Sequence, residues 1–262
     1  MIPIDQLRNY FPAQIRGNSG FDKHILKEYL QLMILDYLSS TPHIKKMAFI
    51  GGTNLRLLKG IDRFSEDLDF DCKDMSNDEF VEMTNGVIQF LERSGLRVVA
   101  KDKENPRLTA FRRNLHFPEL LFDLGLSGHK EERFLIKVES QDQGIVNPPV
   151  IKNIKGCGFF FPFPVPSDGV LCSMKISAML ARAKGRDFYD LMFLLSQAKP
   201  DYGFLSKRFE IKSLQAFKQA TVELLKKVDL KKKQKDFEHL LFNKANSEKI
   251  LRFGEFVESL TE

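Results

Sequence analysis

The stretch GGTNLRLLKGIDRFSEDLDF, Gly51 to Phe70, most narrows what this chain can fold into, because it sets a glycine turn beside two carboxylates at alternate positions. The apolar run Met47, Ala48, Phe49 and Ile50 reads as a short buried strand. Gly51-Gly52 ends that strand in a turn where the backbone can approach a ligand closely. Thr53 is then expected to cap a helix through Leu55, Leu57 and Leu58, with first-turn N–H groups facing bound anions. A second strand is predicted from about Leu68 to Cys72. Asp67 and Asp69 would project from one of its faces, Leu68 and Phe70 from the other. Two crowded carboxylates repel unless a cation lies between them, and Mg²⁺ favours such oxygen ligands supplemented by substrate phosphates. D-x-D by itself is also common in exposed acidic turns. The strand, Gly-Gly turn and helix ahead of it are what suggest a metal.

Gly51-Gly52-Thr53, Arg63-Phe64-Ser65 and Asp67-Leu68-Asp69 together resemble the signature of the AbiEii/AbiGii-type toxin nucleotidyltransferases, a branch of the DNA polymerase β-like nucleotidyltransferase superfamily. In that superfamily a third carboxylate comes from a neighbouring strand. The segment RFLIKVESQ, Arg133 to Gln141, alternates Phe134, Ile136 and Val138 against Leu135, Lys137 and Glu139. The resemblance implies that Glu139 helps to bind metal and to deprotonate an attacking hydroxyl. Its plainer reading is the polar partner in a half-exposed strand.

The block MKISAMLARAKGRDFYDLMFLL, Met174 to Leu195, carries the other half of the resemblance. Ile176, Met179, Leu180 and Ala183 recur at helical spacing, as do Phe188, Leu191, Met192 and Leu195, so two helices should meet at Lys184-Gly185. Asp187 near the start of the second suits a capping role. The family pattern instead implies an active-site lysine and aspartate at Lys175 and Asp187. Lys175 would contact nucleotide phosphates, with Arg182, Lys184 and Arg186 adding cations suited to triphosphate or RNA. A solvated helix face is the usual alternative for such residues.

At 262 residues and 43% hydrophobic content the chain can build one large or two modest cores. No apolar run approaches the roughly 20 residues needed to span a bilayer, and the N-terminus lacks a secretory pattern, so a cytoplasmic location is expected. Cys72, Cys157 and Cys172 are isolated, which argues against a disulfide framework or zinc site. His24, His43, His116, His129 and His239 show no metal-ligand spacing and receive no catalytic role. The net charge of +5 is uneven: Lys226, Lys227, Lys231, Lys232, Lys233 and Lys235 crowd the C-terminal third, and Arg107, Arg112 and Arg113 the middle. Such patches attract polyanions or simply solvate a surface.

An amphipathic helix is predicted from Phe21 to Leu38 and another from Asn77 to Ser94. Strands are predicted at about Leu96 to Lys101, Leu108 to Phe117 and Arg133 to Ser140. The Phe- and Pro-rich run Cys157 to Asp168 cannot continue a helix and should pack against the sheet region. Helices are expected at Phe209 to Lys227 and Phe237 to Leu260. The fold class is therefore α+β: by resemblance a polymerase β-like nucleotidyltransferase core, residues 1–166, with a helical region, residues 167–262, lending Lys175 and Asp187 to the site.

The activity that the resemblance implies is transfer of a nucleotide from a nucleoside triphosphate to an acceptor hydroxyl. Asp67, Asp69 and Glu139 would hold Mg²⁺ or Mn²⁺, and Gly51, Gly52, Thr53, Ser65, Lys175 and Arg186 would bind the nucleotide. Relatives act as toxins paired with an antitoxin, and some modify the 3′ end of tRNA, which makes tRNA the expected acceptor. The alternatives are transfer to a protein side chain, or a nucleotide- or RNA-binding regulator without turnover.

Overall fold

A computed structural model describes residues 3–101, 110–145 and 147–261. The chain divides into two compact units: Met1–Gly60, Phe64–Gly144 and Pro149–Val165 make the first, and Ile61–Arg63, Ile145–Pro148 and Pro166–Glu262 the second.

The first unit opens with the short helices α1 (Ile4–Arg8) and α2 (Ala13–Arg16), then α3 (Asp22–Ser39). Next come β1 (Met47–Ile50), α4 (Gly51–Asn54) running into a wider helical turn at Leu55–Lys59, and β2 (Asp67–Cys72). They are followed by α5 (Asn77–Arg93), β3 (Val99–Ala100), β4 (Phe111–His116), α6 (Leu120–Asp123) and β5 (Leu135–Gln141). The hairpin β6 (Val150–Gly156) and β7 (Phe159–Val165) completes the unit.

Five strands form one mixed sheet in the order β1-β2-β5-β4-β3. The β2/β5 pair is parallel and the other pairs are antiparallel. One face of this sheet is core: Phe49, Leu68, Phe70, Leu115, Ile136 and Val138 are each at most 1% exposed. Burial of that kind contributes on the order of 1.5–3 kcal/mol per side chain. The mixed sheet with flanking helices agrees with the α+β expectation.

Several local expectations need correction. The helix predicted from Phe21 is present as α3, yet it is buried on nearly all sides rather than amphipathic. Its polar residues are matched internally: Glu28 accepts from Arg56 Nε at 2.8 Å and Nη2 at 3.1 Å, and Gln31 donates to the Ser65 carbonyl at 3.2 Å. Strand β4 is shorter than predicted at its C-terminal end, and Leu108 and Arg107 lie outside the described residues.

The Phe/Pro run is itself a strand. Cys157 (φ 46°) and Gly158 (φ 86°) supply the two left-handed residues of a tight hairpin turn between β6 and β7. Pro162 and Pro164 are tolerated because β7 belongs to a two-stranded sheet with an open edge. Phe163 of β7 packs at 6.0 Å from both Phe49 and Phe70.

The second unit is helical, as expected: α7 (Asp168–Arg182), α8 (Gly185–Leu195), α9 (Tyr202–Phe209), α10 (Leu214–Leu225), α11 (Leu230–Lys235) and α12 (Phe253–Glu258). Phe209 ends α9 instead of starting the next helix, because Glu210 turns left-handed (φ 57°) and Ser213 caps α10 through the Ala216 N–H. The helix predicted from Phe237 to Leu260 is broken into 3-10 turns at Glu238–Leu240 and Lys244–Arg252 before α12. Extended backbone at Asn243, whose side chain caps Ala245, makes the break. Gly185 permits close packing of α8: a Cβ there would lie 1.9 Å from the Lys233 carbonyl oxygen. Among the described residues no helix is long and apolar enough to cross a membrane.

All three cysteines are buried. Burial pushes the Cys72 thiol up to about 11 and those of Cys157 and Cys172 up to about 12. Thiolate is therefore scarce at neutral pH. The native protein should leave Ellman's reagent essentially unreacted at pH 8, while all 3 thiols should react after unfolding in guanidinium.

Candidate active site

The site of the first unit is built where β1 hands over to α4. Ile50 stands opposite Asp69 in the β1/β2 register. Gly51 follows with φ 81°, and a Cβ on it would fall 2.1 Å from Asp69 Oδ2. Only glycine allows that backbone and that approach together. The helix begins at Gly51, three residues earlier than a Thr53 cap requires. Thr53 is instead fully buried, and its hydroxyl donates to the Asp67 carbonyl oxygen. The hydroxyl fastens α4 to β2, so any contact of Thr53 with a phosphate would fall to its backbone N–H. Asn54 adds a second tie, donating to the Phe49 carbonyl at 2.7 Å. Ser65 is also buried, at 8% exposed.

Period-two alternation puts Asp67 and Asp69 on the face of β2 opposite Leu68 and Phe70. The parallel register then sets Glu139 opposite Asp69 and Lys137 opposite Asp67, while β4 sets Arg112 opposite Glu139 and Asn114 opposite Lys137. A polar patch results, each member partly exposed. Lys137 Nζ lies 3.2 Å from Asp67 and 3.6 Å from Glu139, and Arg112 Nε lies 2.7 Å from Glu139. Three carboxylates against two cations leave one net negative charge. Lys137 and Arg112 were not singled out for this role from the sequence, although the alternation of RFLIKVESQ already placed Lys137 on the face of Glu139.

The donor chemistry of Asp67 and Asp69 fits a hard divalent cation, and the bare Gly51 backbone keeps the space beside Asp69 clear. Glu139 fits less well as a third ligand, being turned toward Arg112 and Lys137. Among the described residues no three His, Cys, Asp or Glu side chains gather tightly enough to hold a metal by themselves. Substrate phosphates would have to complete such a coordination shell.

The second unit has its own charged centre. Asp190, fully buried, accepts from Arg63 Nε at 2.6 Å and Nη2 at 2.7 Å, and from Lys175 Nζ at 2.7 Å. Burial pushes its carboxyl up, but Arg63 and Lys175 outweigh that and bring it down to about 2. Beside it, Asp62 accepts from Tyr189 and Asn246, each at 2.6 Å. Lys175 is only 6% exposed, so the ammonium expected to meet phosphates is held inside. Asp187 is 0% exposed and accepts from Arg182 at 2.8 and 3.0 Å and from the Lys184 N–H at 3.1 Å. That is the capping geometry, and the carboxylate touching the lysine is Asp190, one helical turn on. Arg186 is half-buried and Lys184 exposed. The signal for Asp190 was the final aspartate of R-D-x-x-D.

A family model described as nucleotidyl transferase AbiEii toxin, type IV toxin–antitoxin system, matches residues 34–257. The chain belongs to this family. It is accordingly a nucleotidyltransferase of the toxin–antitoxin class. Among solved structures it is similar to MenT4, the nucleotidyltransferase toxin Rv2826c from Mycobacterium tuberculosis H37Rv, at 17% identity and TM-score 0.65, covering 100% of this chain and 91% of that one. It is also similar to JHP933 from Helicobacter pylori, at 21% identity and TM-score 0.53 over 90% of each chain. A putative nucleotidyltransferase from H. pylori matches at 20% identity and TM-score 0.54, covering 89% and 92%. At these identities the likeness is one of fold. A search of curated proteins finds no match.

Two outcomes follow for this member of the AbiEii family. Gly51→Ala forces a left-handed alanine against Asp69, which should cost about 1–2 kcal/mol of stability and about 100-fold in turnover. Thermal melting beside a transfer assay checks both. Asp190→Asn strands two buried cations and should cost about 3–5 kcal/mol by urea titration. Because the folded pKa of Asp190 lies near 2, below its unfolded value of about 3.9, its contribution is present above pH 4 and is lost as pH falls toward 2. The wild-type advantage over Asp190→Asn should therefore hold from pH 7 to 5 and shrink below about pH 4.

Proposed function

We propose that the chain moves a nucleoside monophosphate from a nucleoside triphosphate to the 3′ hydroxyl of RNA, with tRNA as the acceptor, as the toxin partner of a cognate antitoxin in the cytoplasm. The observation that carries this reading is the placement of Asp67 and Asp69 on one open sheet face, against a glycine turn that no side chain could occupy. Asp67 and Asp69 would hold Mg²⁺, or Mn²⁺, which supplies charge neutralisation to the attacking and leaving oxygens. The Gly51 and Gly52 backbone lies against the triphosphate.

The hydroxyl oxygen attacks the α-phosphorus in line, forming the new phosphodiester bond as the α–β anhydride bond breaks. Pyrophosphate departs with the bonding electron pair. Glu139, one strand from Asp69, receives the hydroxyl proton. Arg112 and Lys137 orient Glu139 and offset charge on the phosphates. With Lys175 held by Asp190 and Asp187 by Arg182, those residues act by shaping the second unit.

Purified protein incubated with Mg²⁺, bacterial RNA and each of the four α-labelled nucleoside triphosphates should label a tRNA-sized band. Asp69→Ala should lower that signal by about 10³-fold while shifting the melting midpoint little. Label on a polypeptide instead would overturn the RNA acceptor. No label on any acceptor would overturn transfer.

A further inference from the structure

The sheet face that carries Asp67 and Asp69 continues beyond them along β4. Arg112, Asn114 and His116 share it, opposite Glu139, Lys137 and Leu135, while Leu115 between them is core. Asn114 fixes the next segment: its Nδ2 donates to the Lys101 carbonyl at 3.1 Å, and the Lys101 N–H donates to the Asn114 backbone carbonyl at 3.0 Å. At the His116 end the face opens into a cavity of about 310 Å³ whose cationic lining is Lys101, Lys130 and Arg133, with the His116 imidazole beside them.

The carboxylates of this cavity are largely committed elsewhere. Glu132 pairs with Lys23, and Glu119 with Arg97 at 2.9 Å, both cations outside the lining. Glu131 also lines the cavity, with no ion pair among the described residues. Lys101 and Arg133 are exposed, and among the described residues neither has a carboxylate partner, while Lys130 rests 5.3 Å from the centre of the Phe122 ring. Burial, then the charges of Lys101 and Arg133, lower the pKa of His116. Both favour the neutral imidazole, which keeps one N–H to donate. Three cations and that donor converge where one carboxylate opposes them, which is the chemistry of a phosphate subsite.

The separation from the Glu139/Arg112 row is four residues along the strand, about 13 Å. A short single strand whose 3′ end lies at Asp69 spans that distance. We propose that this cavity binds a backbone phosphate of the acceptor RNA upstream of its reacting hydroxyl; the assignment of RNA rests on the transfer reading above. The cavity fixes the strand's direction across the sheet, and specificity for the acceptor arises in part from this second point of attachment.

The test compares the full-length wild type with Lys101→Ala/Arg133→Ala and, separately, His116→Gln, using a fluorescein-labelled single-stranded RNA in anisotropy titrations from 50 to 200 mM salt. Both substituted cations are exposed, so the double variant should melt as wild type does. Its RNA affinity should fall about tenfold or more, and the salt slope should flatten by about 0.7, the value for one phosphate released on a single strand. In transfer assays KM for RNA should rise with kcat unchanged, and ATP binding should be unaltered. His116→Gln, retaining an N–H donor, should weaken RNA binding by less. Unchanged RNA affinity and slope would overturn the cavity assignment and leave the transfer reading intact, as would loss of ATP binding with RNA binding preserved. Wild type that binds RNA through the cavity yet labels only protein would overturn the transfer reading instead.

Discussion

The arrangement depends on the register of β2, which lies between β1 and β5 near one side of the sheet. Its antiparallel pairing sets Ile50 opposite Asp69, and its parallel pairing sets Glu139 opposite the same residue. Because side chains alternate with a period of two, a slip of one residue would turn Leu68 and Phe70 to the open face and drive Asp67 and Asp69 into the core. The apolar face excludes that slip. Phe49, Phe70 and Phe163 pack with ring centroids within about 6 Å of one another, and each is at most 1% exposed. The hydrophobic side of the sheet thus determines the chemistry presented on its polar side.

The two units handle buried and half-buried charge differently. In the second, Asp190 is fully enclosed and satisfied by a bidentate arginine and a lysine, so removing one partner leaves an unanswered charge in a dry interior. Such a centre is fixed in composition and geometry. In the first, Asp67, Lys137, Glu139 and Arg112 keep between 23% and 35% side-chain exposure, where water screens the pairs and partners can be exchanged. A ligand that brings its own charge can rearrange the half-exposed patch of the first unit but not the enclosed centre of the second. On the proposed reading the chemistry belongs to the sheet face, while Arg63, Asp190 and Lys175 hold one another inside the second unit.

Much of this was readable from the residues. The alternation of D-L-D-F and of F-L-I-K-V-E-S predicted both faces of the sheet correctly, since strand periodicity needs no tertiary information. The helices on either side of Lys184-Gly185 were equally plain. What escaped was set by partners distant in sequence. Whether Thr53 caps a helix or ties it to β2 depends on the Asp67 carbonyl reaching it, and whether Asp187 or Asp190 holds Lys175 depends on helix packing that also brings in Arg63. The hairpin was hidden because Phe and Pro suggested irregular packing, while its signal was the Cys157-Gly158 turn between two runs rich in strand formers. Proline counts against a central strand, and β7 is not one.

Lys137 and Arg112 answer a difficulty that the carboxylates create. Like charges about 4 Å apart cost about 4 kcal/mol at an effective dielectric near 20, so a face bearing only Asp67, Asp69 and Glu139 would oppose its own folding. Interleaving two cations relieves most of that repulsion without filling the space beside Gly51 and Asp69. The patch keeps one net negative charge, enough to favour a divalent cation and too little to repel an incoming triphosphate strongly.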